Sequence, residues 1–320
     1  MTEEPPSRLR RWLIMITLIV AGEAVFLLPF VLARIFRPTF LDVFQLTNFQ
    51  LGSAFSVYGF IAMASYFAGG PLADRFSARH LMAAALAATA VGGIAMATIP
   101  SLAILTLLYG FWGMTTILLF WAALIRATRE WGGPRAQGRA YGFLDGGRGL
   151  VAALLASASV AVFAAFLPEE VESATFEERK TALSRVIWIF TGLTLIVAAL
   201  VWTVLPKNPP PAAQNGAPGL DLSGMRRVVR MPAVWLQAVI VVCAYVGYKS
   251  TDDFSLYARD AFGYDEVAAA RIGTVTFWVR PFAAVGAGII ADYVRTSYII
   301  SISFGILIAG SLAIALGLLQ

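Results

Sequence analysis

Apolar runs of about twenty residues alternate with short charged breaks along this chain. Runs of that length suit helices crossing a ~30 Å hydrocarbon core, and they are about twice as long as the alternating strands of a membrane barrel. Nine spans are predicted, at roughly 12–34, 48–71, 80–99, 101–126, 139–167, 184–205, 231–257, 267–290 and 297–319. The longest break, 206–230, runs from Pro209-Pro210-Pro211 to Arg226-Arg227-Val228-Val229-Arg230. It reads as a linker. The expected architecture is therefore all-α and membrane-integral. Residues 1–205 form a six-helix bundle, 206–230 the linker, and 231–320 a partial second bundle made of spans seven to nine.

One connection recurs. Gly70-Pro71-Leu72-Ala73-Asp74-Arg75-Phe76-Ser77-Ala78-Arg79 joins the second and third spans, and Gly288-Ile289-Ile290-Ala291-Asp292-Tyr293 follows the eighth. Gly70, Ala73 and Asp74 each stand 218 residues before Gly288, Ala291 and Asp292. A constant offset between two apolar arrays implies an internal repeat, the way many secondary transporters are built. The second half would need three more spans to match the first, so the chain is expected to be part of a twelve-span protein.

Composition agrees with this pattern. Hydrophobic residues make up 59% of the chain and charged residues 13%, against about half and a quarter in ordinary soluble domains. The net charge of +5 does not point to nucleic acid. Fourteen Lys or Arg fall at the N-terminus and in the even-numbered loops. Six fall on the opposite side: Arg34, Arg37, Arg179, Lys180, Arg185 and Arg259. That bias places the N-terminus in the cytoplasm. The 5–6 loop is acidic (Glu169, Glu170, Glu172, Glu177, Glu178), as an outside loop can be. The first run is too long for the apolar part of a signal peptide and is read as an uncleaved span. Cys243 lies alone in an apolar run, which excludes a disulfide framework or thiolate metal site. His80, the lone histidine, is read as an interfacial residue at a helix start. No Walker loop and no catalytic constellation appears, so neither an ATP-driven pump nor an enzyme is expected, and no cofactor or metal.

A few charges sit where hydrocarbon should be. Glu23 lies eleven residues from each end of its span, ~16 Å deep at ~1.5 Å per residue. A carboxylate there costs about 3 kcal/mol and must face a cavity, a cation or a proton. It suits a proton carrier, or else a structural acid bonded to a neighbouring helix. Asp145 and Arg148 share a face of the fifth span, either as a local ion pair or with Arg148 free to meet an anion. Gly138, Gly142 and Gly146, spaced by four, are expected to let another helix approach. Lys249 precedes Asp252 and Asp253 by three and four residues in the seventh span. Arg280 lies at midplane depth in the eighth span, ahead of Pro281, which removes a backbone donor. It is the best candidate for holding an anion, or else a permanent partner of Glu23 or Asp253. Tyr58 and Trp278 are candidate cavity-lining residues, and Gly247-Tyr248 a candidate bend.

Gly-x-Leu-Ala-Asp-Arg-x-x-x-Arg after the second span, with six spans, a linker and a repeated half, resembles the major facilitator superfamily. Ser77 stands where that family's signature carries a second Gly, and His80 where it usually carries a basic residue. The fourth and fifth spans (Gly110-Phe111-Trp112-Gly113; Gly138-Arg139-Ala140-Tyr141-Gly142; Asp145-Gly146-Gly147-Arg148-Gly149) resemble the organophosphate:phosphate antiporter branch and its relatives. That branch uses a first-span arginine for its anion, whereas Glu23 stands in the first span here. The resemblance implies an alternating-access carrier, monomeric when full length, in the cell membrane. It makes Gly70, Asp74, Arg75, Arg79, Gly288 and Asp292 the inner gate.

The expected function is secondary transport of a small polar or anionic organic solute (sugar, sugar phosphate, sulfonate or carboxylate), coupled to protons through Glu23. Arg148, Lys249 and Arg280 against Glu23 and Asp145 favour an anion. The alternatives are a multidrug/proton antiporter, a non-transporting sensor or scaffold, and a non-functional truncated carrier.

Overall fold

The computed structural model describes residues 8–134, 136–168, 173–207, 227–291 and 294–317, and all of them lie in helices or short connections. Nine long helices and one short one follow in chain order. They are α1 (Arg8–Ile35), the short α2 (Arg37–Val43), α3 (Asn48–Arg75), α4 (Ala78–Ala97), α5 (Leu102–Gly132), α6 (Gln137–Ala165), α7 (Phe176–Val204), α8 (Pro232–Phe262), α9 (Glu266–Ala291) and α10 (Thr296–Ala315). All the long helices but α9 are long and apolar enough to cross a bilayer by composition alone. α9 has 26 residues but carries Glu266, Arg271 and Arg280. All nine predicted spans are therefore present as helices.

Local chemistry moves several ends. The sixth long helix, α7, starts at Phe176 rather than 184, because Thr175 and Glu178 form a capping box: Thr175 accepts from the Glu178 amide, and the Glu178 carboxylate accepts from the Thr175 amide. Thr47 and Gln50 start α3 in the same way. At the other end of α3, Arg126 donates to the carbonyls of Ala73 and Phe76, satisfying groups the helix terminus would leave orphaned. Ser77 then caps α4, and its hydroxyl also bonds His80 Nδ1 at 2.7 Å. Most of the expected linker (208–226), Glu169, Glu170 and Glu172 of the acidic loop, and Asp292 lie outside the described residues. Gly288 falls within α9.

The six long helices α1 and α3–α7 surround a core that includes Trp112, Tyr109, Phe36, Phe40, Phe120 and Phe163. Lipid offers no hydrophobic gain for one helix meeting another, so packing and interhelical hydrogen bonds must hold this core. Side-chain hydrogen bonds link α3, α4 and α5, and α4 packs closely on α7. Tyr58 OH lies 2.7 Å from Thr116 Oγ1, Thr89 Oγ1 lies 2.9 Å from Thr115 Oγ1, and Trp112 Nε1 donates to Thr89 O at 3.1 Å. At Gly113, α5 comes so close to α3 that an added Cβ would stand 2.7 Å from Tyr58 O.

The spaced glycines of α6 behave differently from expectation. Gly138 and Gly142 face open space, and the close approaches fall five and seven residues after Gly142. A Cβ on Gly147 would meet Ile19 of α1 at 2.6 Å, and one on Gly149 would meet Pro281 of α9 at 3.0 Å. Helix spacing thus follows the face that points inward, not the four-residue pattern itself. α6 and α9 form the long contact between the first six long helices and the last three. By contrast, the first 18 residues of α8 hold no buried residue.

Gly113→Ala is expected to force α3 and α5 apart. The penalty is that of overpacking, about 1–3 kcal/mol, read as a lower unfolding midpoint in mild detergent. A midpoint equal to that of the unsubstituted protein would contradict this contact.

Candidate functional site

Two of the long helices change register as they pass the middle of the molecule. α1 contains a wide, π-helical turn at Leu27–Val31, which includes Pro29, and α5 contains another at Met114–Trp121. Such turns insert an extra residue and re-aim the side chains beside it. Phe26, Phe30 and Val31 on one side and Ile117 and Trp121 on the other end up facing a cavity of about 510 Å³. α3, α6, α8 and α9 close the rest of its wall. That volume lies within the usual range for small-molecule sites, about 300–1,000 Å³.

Five charged side chains line this cavity: Glu23, Arg34, Arg148, Lys249 and Arg280. Glu23 and Arg148 are both buried. Arg148 Nη2 approaches Glu23 Oε2 at 3.5 Å, and its Nη1 approaches Asp145 Oδ1 at 3.5 Å. Its Nε donates to Gly22 O at 3.1 Å, and its guanidinium lies 5.3 Å from the Trp121 ring centre and 5.9 Å from that of Phe26. Gly22 makes this crossing feasible, since a Cβ there would stand 2.9 Å from Arg148 Cδ. Both carboxylate contacts are long for charge-assisted bonds, which favour about 2.7–2.9 Å. Glu23 Oε2 is buried and has no hydrogen-bond partner among the described residues. A buried acceptor left unsatisfied costs about 1–3 kcal/mol or more when charged.

On another wall Asp252 receives both Arg34 and Lys249, and Arg34 Nη1 donates to Tyr248 OH at 2.7 Å. Arg34 and Asp252 are 218 residues apart, the offset of the sequence repeat. Neighbouring pairs reinforce the joint. Arg37 meets Asp253 at 2.9 Å, Arg259 meets Asp42 at 3.0 Å, and Arg179 meets Glu266 at 3.0 Å. Each couples α1, α2 or α7 to α8 or α9. Arg280 lies 5.8 Å from the Tyr248 ring centre, and among the described residues it has no ion-pair partner.

Several expectations change here. Arg34 and Arg37 are not loop charges that mark topology: both are buried, because the helix runs on past residue 34 and each meets an aspartate. The first helix therefore does bring an arginine to the cavity. Lys249 pairs with Asp252, whereas Asp253 turns away to Arg37 and Asn48 and does not line the cavity. Neither Glu23 nor Asp253 pairs with Arg280. Tyr58 lines the cavity, but Trp278 does not: its Nε1 donates to Ser157 Oγ at 2.9 Å. At the repeated motif, Asp74 and Arg75 are exposed and in no ion pair among the described residues. Arg79 rests over the Trp202 ring at 5.0 Å. Arg34 was findable in the sequence, because adding the repeat offset to the arginine at the predicted end of the first span lands on an aspartate.

A family model described as Major Facilitator Superfamily matches residues 12–320. The chain is 26% identical over 287 residues to the inner membrane protein YqcE of Escherichia coli (strain K12), covering 89% of this chain and 65% of that protein. It is 25% identical over 290 residues to the inner membrane protein YihN of the same organism, covering 89% of this chain and 62% of that one. The chain thus spans somewhat less than two thirds of the length of these relatives.

Asp252→Asn should leave the buried Arg34 and the half-buried Lys249 beside a neutral partner. Breaking a buried pair in this way costs about 3–5 kcal/mol, which thermal unfolding in detergent would register. The double substitution Arg34→Gln with Asp252→Asn should recover most of that loss. Equal midpoints for Asp252→Asn and the unsubstituted chain would contradict a buried clamp.

Proposed function

The chain belongs to the Major Facilitator Superfamily, and on that premise we propose that it serves a secondary active transporter of a small organic anion, working by alternating access and coupled to protons through Glu23. The observation that carries this reading is the charge of the cavity: four cations face it against one carboxylate. Two of the cations share Asp252, one meets Glu23 and Asp145 at long range, and Arg280 is left for a ligand. An anion entering here would gain charge-assisted bonds in a low dielectric without first breaking a short ion pair.

Glu23 supplies the coupling. Taking up a proton removes its charge and gives its unsatisfied oxygen a donor role. Arg148 then loses its deep counter-charge and is available to the anion. When the proton leaves, the carboxylate competes again for Arg148 and the anion is expelled. Protonation and anion binding thereby favour each other, as symport requires.

The ion pairs of Arg34, Arg37 and Arg259 with the start of the second half serve as the gate at one end. The Gly70–Arg79 motif and its repeat at Gly288 and Asp292 serve the other. The first is engaged in this structure, while Asp74 and Arg75 form no ion pair among the described residues, which supports an arrangement closed at the clamp end. Residues 1–205 and 231–320 would be the two moving bodies, joined by the linker 206–230. The relatives' description as inner membrane proteins and the Lys/Arg bias support an inner-membrane location with a cytoplasmic N-terminus.

The protein reconstituted in proteoliposomes tests this. An organic anion should drive proton entry, Glu23→Gln should abolish proton movement, and Arg280→Ala should cut anion flux at least tenfold. Proton movement driven solely by lipophilic cations would replace this reading with efflux.

A further inference from the structure

The uncharged part of the cavity wall has an unusual make-up. Nine of its eighteen lining residues are aromatic. None is Ser, Thr, Asn, Gln or His. The neutral polar side chains are four tyrosines and Trp121, and two of the tyrosine oxygens are already engaged: Tyr58 OH bonds Thr116, and Tyr248 OH accepts from Arg34. Tyr66 and Tyr245 remain for a solute.

We infer that the solute is an organic anion with a flat aromatic or apolar body, of the arylcarboxylate class, and not a sugar acid or sugar phosphate. This deepens the anion reading above and rests on it. A sugar carries several hydroxyls, and each one buried without a partner costs about 1–3 kcal/mol. Two tyrosine hydroxyls and the Trp121 indole are few neutral partners for a ring of four or five hydroxyls, and each cation turned to a hydroxyl is withdrawn from the anionic group. A site built for hydroxyls would carry the amides and small hydroxyl side chains missing here.

The aromatic side chains are also arranged for a planar guest. Phe30 meets Phe55 edge to face at 5.6 Å between ring centres and Tyr58 at 4.6 Å, so Phe30, Phe55 and Tyr58 form one wall of perpendicular rings. Edge-to-face and offset stacking are the favoured geometries for a further ring. Lys249 Nζ lies 4.9 Å from the Phe30 ring centre and 5.4 Å from that of Phe55, which puts a cation at the edge of this wall. Arg280 and Arg34 lie 5.8 and 4.6 Å from the Tyr248 ring centre on the same cavity. A carboxylate between Arg280 and Lys249 would leave its ring against Phe30 and Phe55.

The test is equilibrium binding to the purified chain in lipid nanodiscs by titration calorimetry. The probes are 2-naphthoate, glucuronate, glucose 6-phosphate, inorganic phosphate and naphthylmethylammonium. Naphthoate should bind at least tenfold more tightly than glucuronate, which bears the same carboxylate on a hydroxylated ring. Phe55→Leu keeps an apolar side chain and should weaken naphthoate at least fivefold while leaving phosphate unchanged. Arg280→Ala should weaken every anion. Glucuronate or glucose 6-phosphate binding as tightly as naphthoate, still dependent on Arg280, would overturn the aromatic inference and leave the anion reading standing. Equal weakening of naphthoate and phosphate by Phe55→Leu would also overturn it. Binding of naphthylmethylammonium alone, or of no anion at all, would overturn both.

Discussion

A charge inside hydrocarbon must find an opposite charge, a proton or a water-filled cavity, and this requirement organises the middle of the molecule. The buried arginines of α1–α7 answer it. Arg34 and Arg37 reach to aspartates of α8, Arg126 to the carbonyls that end α3, and Arg148 to Glu23 and Gly22 O. Two of these answers cross from α1 and α2 to α8. The attachment of α8 to the rest therefore depends on ion pairs at one end, since the first 18 residues of that helix bury nothing.

Not all the charges are equally well answered, and the differences mark the site. Asp252 holds two cations, whereas Glu23 is met at 3.5 Å with one oxygen unsatisfied. A structural ion pair in so low a dielectric would be expected to close tightly, because loose geometry does not repay the loss of hydration. The long contacts of Glu23 with Arg148 support the exchangeable role proposed for them, and the sharing of Asp252 by Arg34 and Lys249 supports the role of a clamp. The wide turns in α1 and α5 place aromatic rings beside the first set, including Trp121 and Phe26 next to Arg148.

Pseudo-symmetry explains why the clamp falls where it does. In an arrangement with two-fold symmetry, a residue near the axis meets its own equivalent. Arg34 and Asp252 are separated by the repeat offset of 218, and Asp42 and Arg259 by 217. Opposite charges at equivalent positions turn such a self-contact into an attraction. The repeat was legible from Gly70, Ala73 and Asp74 alone, but those positions carry the turn and not the joint.

The sequence by itself determined the helical membrane class, the nine long helices though not all of their ends, the family, and four of the five charges on the cavity: Glu23, Arg148, Lys249 and Arg280. Those features follow from run length, local caps and the cost of isolated charge, all of which are properties of neighbours in the chain. Only the tertiary structure decided the pairings. It joined Arg34 to Asp252 and Glu23 to Arg148, turned Asp253 and Trp278 away from the cavity, and placed the close contact of α6 with α9 at Gly149 instead of Gly142. Pairing depends on which faces of distant helices meet, and a wide turn of one extra residue in α1 or α5 rotates such a face without leaving a mark in hydropathy.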